Sequence, residues 1–120
     1  MSDTGVPGGM TTEITVAMRA QVSPGCMRRI EAGESAFVLF NVDGEFHAAR
    51  DVCPHKGAQL SAGDLEDGVV ICPLHAWEFD VRTGECISMP EWPSLTLCDV
   101  RVDGDIVRLV MGDLARRELP

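Results

Sequence analysis

Two short runs constrain this chain more than any other feature: Cys53-Pro54-His55 and Cys72-Pro73-Leu74-His75. Each offers one sulfur and one imidazole, and sixteen residues lie between His55 and Cys72. A fold that uses both runs must bring two loops together around one centre. Thiolates suit iron–sulfur clusters and zinc, while imidazole suits iron, zinc and copper. Two Cys and two His therefore hold either a mixed-ligand [2Fe–2S] cluster or one tetrahedral zinc ion, in which case the metal only stabilises the fold.

The rest of the chain reads as all-β. Ile14, Val16 and Met18 alternate with polar or small neighbours, predicting a strand over Ile14 to Ala20. Met27 to Ile30 is a weaker strand, and Ala36 to Val42 a strongly apolar one. Asp43-Gly44 predicts a hairpin turn into Glu45 to Arg50, because this pair tolerates the positive φ of such turns. Val69 to Ile71 predicts a short buried strand that delivers Cys72, and Trp77 to Val81 one that returns over Glu85 to Ser88. Leu95 to Val102 and Asp105 to Met111 predict a last hairpin across Asp103-Gly104, and Asp113 to Leu119 is the only helix candidate. Strands before residue 50 and after 94 would build an antiparallel barrel or sandwich, with the cluster loops as an insert.

The neighbours of the two runs carry a resemblance. Asp51-Val52-Cys53-Pro54-His55-Lys56-Gly57-Ala58, Gly68 to Asp80 and Arg82-Thr83-Gly84 resemble the two cluster loops and following turn of bacterial Rieske-type ferredoxins. The likeness spans roughly Val38 to Val110. It implies a Rieske fold over 13–112, the cluster-binding part at about 50–93, between a flexible tail at 1–12 and a short tail at 113–120. It also implies that Cys53 and Cys72 hold one iron of a [2Fe–2S] cluster, and His55 and His75 the other. Two neutral imidazoles in place of two thiolates make their iron the easier one to reduce. Met89-Pro90-Glu91-Trp92-Pro93 would then be the proline loop over the cluster, with Trp92 either shielding it or packed in the base core.

Departures from the family pattern narrow this. Respiratory Rieske proteins tie the two loops with a disulfide, but Ala58 and Leu74 stand at those positions. They also place a Ser and a Tyr after the second His; here Ala76 to Phe79 follow, and the chain has no Tyr. Fewer hydrogen bonds to sulfur predict a potential near the low end of the Rieske range, about −150 mV. The resemblance thus implies a one-electron carrier between an NAD(P)H-dependent flavin reductase and a terminal oxygenase, with no substrate site of its own. The small subunit of an NAD(P)H-dependent nitrite reductase, bound to a large subunit, shares the same domain.

Bulk properties fit a single domain of 120 residues. The stretch Met1 to Thr12 has no apolar run, so neither a leader nor a membrane anchor is read there, and a cytoplasmic protein is expected. A net charge of −9 argues against nucleic-acid or anionic-membrane binding and suits steering toward basic redox partners. Asp64, Glu66, Asp67 and Asp80 make the cluster region acidic, otherwise an ordinary solvated face. Cys26, Cys86 and Cys98 lie outside the motif and are read as small buried hydrophobes, Cys86 being the one with a minority redox reading. His47 is read as a half-exposed strand residue, Gly57 as the residue that permits the first loop's turn, and Lys56 as a rim contact for a partner.

Overall fold

The computed structural model describes residues 13–54, 57–74 and 76–110. Among them the strands are β1 (Glu13–Met18), β2 (Met27–Ala32), β3 (Ser35–Val42), β4 (Glu45–Arg50), β5 (Asp64–Glu66), β6 (Val69–Ile71), β7 (Glu78–Asp80), β8 (Leu97–Asp103) and β9 (Ile106–Val110). Every pairing is antiparallel. Six strands form one sheet in the order β1-β9-β8-β4-β3-β2, and β5-β6-β7 form a second. The small sheet is inserted in the chain between β4 and β8, so the predicted division into base and insert is the observed one.

β3 shows why its sequence is almost wholly apolar. Phe37 and Leu39 point into a core shared with Ala17, Val22, Ile30, Ala48, Cys98, Val107 and Leu109. The alternate residues Val38, Phe40 and Val42 point the other way, against Leu60, Val70, Phe79 and Val81 of the insert. A strand covered on both faces loses the polar half of its alternation. Asn41 is its one buried polar side chain, and it is satisfied: its amide donates to the Val22 carbonyl (2.7 Å) and accepts from the Gly44 N–H (2.7 Å).

Turn chemistry sets the registers. Asp43 and Gly44 both have positive φ (53° and 94°), the type I′ geometry that matches strand twist. Asp67 and Gly68 repeat it (51° and 80°) between β5 and β6. In the last hairpin the loop residues are Gly104 and Asp105, one position later than predicted, because Asp103 still pairs with Ile106.

Several boundaries differ from the sequence reading. β1 stops at Met18, and Arg19–Gln21 form a 3₁₀ turn instead of continuing the strand. The predicted return strand over Glu85 to Ser88 pairs with β7 only through the Phe79–Cys86 bridge. β5 was not foreseen: Asp64 and Glu66 look like loop charges, yet they are the exposed half of a strand whose Leu65 packs on the core. The expected tails at 1–12 and 113–120, with the helix over Asp113 to Leu119, lie outside the described residues, as does Met111.

None of the five cysteines forms a disulfide. Cys98 is in the base core as expected, and its burial, helped by the Asp99 charge, pushes the thiol up to about 11. Cys86 is also buried. Cys26 corrects the sequence reading: it is exposed, because it falls in the turn before β2 and not within a strand. Iodoacetamide at neutral pH is therefore expected to modify Cys26 and spare Cys98, since the thiolate is the reactive form. Prompt labelling of Cys98, read by mass spectrometry, contradicts the packing.

Candidate metal centre

The first loop leaves β4 tied by two backbone hydrogen bonds. The Arg50 N–H bonds to the Thr96 carbonyl and the Asp51 N–H to the Ala36 carbonyl, both at 2.9 Å. Two residues later the Cys53 N–H donates to the Ala58 carbonyl (2.7 Å), and the Gly57 N–H donates back to the Cys53 carbonyl (2.7 Å). Gly57 has φ +75°, as its expected role in the turn requires.

The second loop is closed by the same device. The Cys72 N–H donates to the carbonyl of Trp77, again five residues on, at 2.7 Å. The fourth residue after each cysteine has a left-handed backbone: Gly57 in the first loop, Ala76 in the second (φ +56°). A non-glycine residue pays about 1–2 kcal/mol for that conformation. The cost is borne at Ala76 where two cysteine loops must present matching edges. The sequence gives no glycine to mark this position.

The loops converge in the core shared by the base and the insert. Cys53 and Cys72 are both fully buried, in one core with Leu60, Val70, Phe79 and Cys86. Their side chains lie within hydrogen-bonding reach of one another. Burial pushes the Cys72 thiol up to about 11; a hydrogen bond from the Leu74 backbone acts against this, and the neighbouring Cys53 adds to it. A metal is what makes buried thiolates favourable. The donor chemistry therefore fits an iron–sulfur group. His55 and His75, the two predicted imidazole ligands, and Lys56 lie outside the described residues.

Gly63 lets the loops approach. It ends the 3₁₀ turn Leu60–Ala62 that follows the first loop, and a Cβ on it would lie 1.9 Å from the Ile71 carbonyl oxygen and 3.1 Å from Pro73 Cδ. Ile71 and Pro73 flank Cys72. The sequence reading passed over this residue, since Gly63 belongs to no turn dipeptide.

The proline loop has a definite place. Trp92 packs edge-on against Trp77, their ring centroids 4.9 Å apart at 67°. Trp77 follows the second cysteine loop, so of the two roles predicted for Trp92 the base-core one is wrong: the ring leans on the loop side and stays 36% exposed. At the other end of the segment the Met89 N–H donates to Cys86 Sγ (3.4 Å), which gives that buried thiol a structural use. His47 sits half-buried on β4, as read, with Glu45 3.5 Å from its Nε2.

Among the described residues, seven large apolar side chains are exposed, and five of them ring these loops: Val52, Leu74, Ile87, Met89 and Trp92. Behind them, the outer face of the small sheet carries Asp64, Glu66, Glu78 and Asp80 around Val69 and Ile71, as the registers Asp64–Ile71–Glu78 and Glu66–Val69–Asp80 require.

Comparison with known proteins agrees with this geometry. Residues 12–101 match the Rieske [2Fe–2S] domain. The chain is 40% identical over 92 residues to the ferredoxin component of biphenyl 2,3-dioxygenase from Rhodococcus jostii (strain RHA1), covering 77% of this chain and 86% of that one. A solved complex of reduced oxygenase and oxidised ferredoxin of carbazole 1,9a-dioxygenase contains a chain similar in structure (TM-score 0.77, 31% identity, 82% of this chain and 92% of that one). A chain assigned as the small subunit of NADH-dependent nitrite reductase from Mycobacterium tuberculosis shares the fold (TM-score 0.75, 24% identity, 83% and 95% covered). With two cysteine loops meeting in one buried core and the matching family spanning most of its length, the chain belongs to the Rieske [2Fe–2S] domain family, and the group it carries is a Rieske-type [2Fe–2S] cluster that makes it an electron carrier.

Proposed function

We propose that this protein is the ferredoxin component of an oxygenase system, taking single electrons from an NAD(P)H-dependent flavin reductase and delivering them to a terminal oxygenase. In this reading Cys53 and Cys72 hold one iron, and His55 and His75 hold the other. The cluster supplies a one-electron couple; the chain supplies its setting and its access. Cys53 and Cys72 keep the sulfur side dry, and the paired N–H bonds at each cysteine fix the two loop edges.

One observation carries the reading: of the seven large apolar side chains exposed among the described residues, five belong to the cysteine loops or the segment that follows them, namely Val52, Leu74, Ile87, Met89 and Trp92. Apolar contact at the tip with carboxylates behind it suits brief docking, the apolar patch excluding water and the charge speeding encounter. A carrier that releases its partner each cycle needs that combination. The system requires no substrate-transforming site on this chain. Among the described residues no helix is long and apolar enough to cross a membrane, and a cytoplasmic setting, where thiols stay reduced, fits a set of five cysteines none of which pairs in a disulfide.

The test is reconstitution. Reductase, cluster-loaded protein and a terminal oxygenase of a ring-hydroxylating dioxygenase are mixed, and NADH oxidation and hydroxylated product are followed. Turnover is expected to require this protein, to fall as salt is raised from about 10 to about 500 mM because exposed charges are then screened, and to run with a cluster potential below zero. No product, turnover indifferent to salt or a positive midpoint contradicts the proposal. Copurification with a sirohaem subunit in place of an oxygenase assigns the chain to nitrite reductase.

A further inference from the structure

Asp51 lies two residues before Cys53, and its side chain is completely buried (0% exposed). One oxygen accepts from Arg29 Nη1 (2.7 Å) and from Ser61 Oγ (2.6 Å); the other accepts from the Ser61 N–H (2.8 Å). These partners come from two places. Arg29 is on β2, at the edge of the six-stranded sheet. Ser61 is in the 3₁₀ turn by which the first cysteine loop returns. Asp51 thus fastens the start of that loop to its end and both to the base.

A buried carboxylate keeps its charge when hydrogen bonds and an opposite charge compensate it. Here the compensating charge comes from outside the loop. Arg29 is itself 36% exposed and shares its guanidinium with the exposed Glu31 (3.4 Å). Along the chain, Asp51 and Cys53 are separated by at most about 7 Å between Cα atoms. A charge fixed that near the loop carrying Cys53 acts on what Cys53 binds more strongly than the same charge in open water would.

We propose that Asp51 is a positioning residue for the first cluster loop and that the Asp51–Arg29 pair sets the potential of the electron carried. The inference rests on Cys53 being a cluster ligand. With Arg29 in place the pair is neutral and the added electron meets no net charge. Without Arg29 the carboxylate opposes reduction. Without the carboxylate, Arg29 favours it. Ser61 holds the carboxylate where both effects are felt.

Protein-film voltammetry on cluster-loaded protein, at one pH of about 8 and one ionic strength, tests this with Arg29→Gln, Asp51→Asn, the double variant and Arg29→Lys. The midpoint is expected to fall in Arg29→Gln, rise in Asp51→Asn, lie between them in the double variant, and stay near that of the parent in Arg29→Lys. The melting temperature falls in both single variants, but a merely structural tie would move it without shifting the midpoint in opposite directions. Unchanged midpoints, or shifts of one sign, in variants with full iron and acid-labile sulfide overturn the proposal. Should Asp51→Asn lose its cluster, the two Arg29 variants carry the test, since that residue stands outside the loop; loss of cluster from both of those also overturns it. A parent protein without iron and sulfide defeats the ligand reading instead, which the potentials do not mimic.

Discussion

Replacing Cys72 with alanine is expected to leave the protein folded, colourless and unable to carry an electron. The thiol has no other job in the structure: it is fully buried, its neighbour is a second thiol, and both sit where the two loops meet. Burial that raises it to about 11 means that, without metal, it is a protonated, inert group. Its loss then resembles the loss of a small apolar side chain, about 1 kcal/mol. The strands keep their hydrogen bonds, so far-UV circular dichroism should change little. Iron and acid-labile sulfide should drop to background, because three remaining donors leave one iron open, and alanine offers none. Cys98→Ala is the control. It removes an equally buried thiol from the base core, should cost a similar amount of stability, and should leave iron, sulfide and electron transfer intact. A full complement of cluster in Cys72→Ala removes that residue from the ligand set.

The control also shows what kind of information the sequence held. Cys98 and Cys72 look alike as buried thiols; only the spacing of Cys72 and His75 separates them. Turn pairs such as Asp43-Gly44 were legible because positive φ is a local demand, met by local residues. β3 was legible because burial on both faces leaves, after its first residue, a single polar position, Asn41. β5 was not, since three residues with two exposed carboxylates have too little pattern to distinguish a strand from a charged loop. Cys26 misled for a related reason: thiols are usually buried, but nothing in its neighbours says on which side of a turn it falls. At the candidate site the cysteines and the loop glycine Gly57 announced themselves. Asp51, Arg29 and Ser61 did not, because their partnership joins residues 22 and 10 positions apart and exists only once β2 and the loop have met. Ala76 hid its backbone strain behind an ordinary side chain.

Gly63 belongs with those hidden residues, and a single methyl group there is expected to part the two cluster loops. Its φ of −94° is negative, but its ψ of −145° lies outside the regions non-glycine residues favour, so alanine meets a modest backbone cost and, on top of it, a severe steric one. The added Cβ would lie 1.9 Å from the Ile71 carbonyl oxygen and 3.1 Å from the Ile71 carbonyl carbon and Pro73 Cδ. Neither neighbour has a rotamer with which to escape. Relief therefore requires the first loop's exit to draw away from β6, and β6 delivers Cys72 to Cys53. Forced overpacking of this kind costs about 3 kcal/mol, and here much of it falls on the geometry of the centre. Gly63→Ala should unfold at lower urea concentration and bleach several-fold faster than the parent when the holoprotein is exposed to an iron chelator. Gly33→Ala separates this from a general cost of removing glycine. Gly33 has φ +66° with nothing within 4 Å of its Cβ position, in the turn between β2 and β3, so alanine there pays only for a left-handed backbone, about 1 kcal/mol. It should lose stability modestly and keep its cluster at the parent rate. If the two variants bleach alike, the approach of Gly63 to Ile71 is not what holds the loops around the cluster.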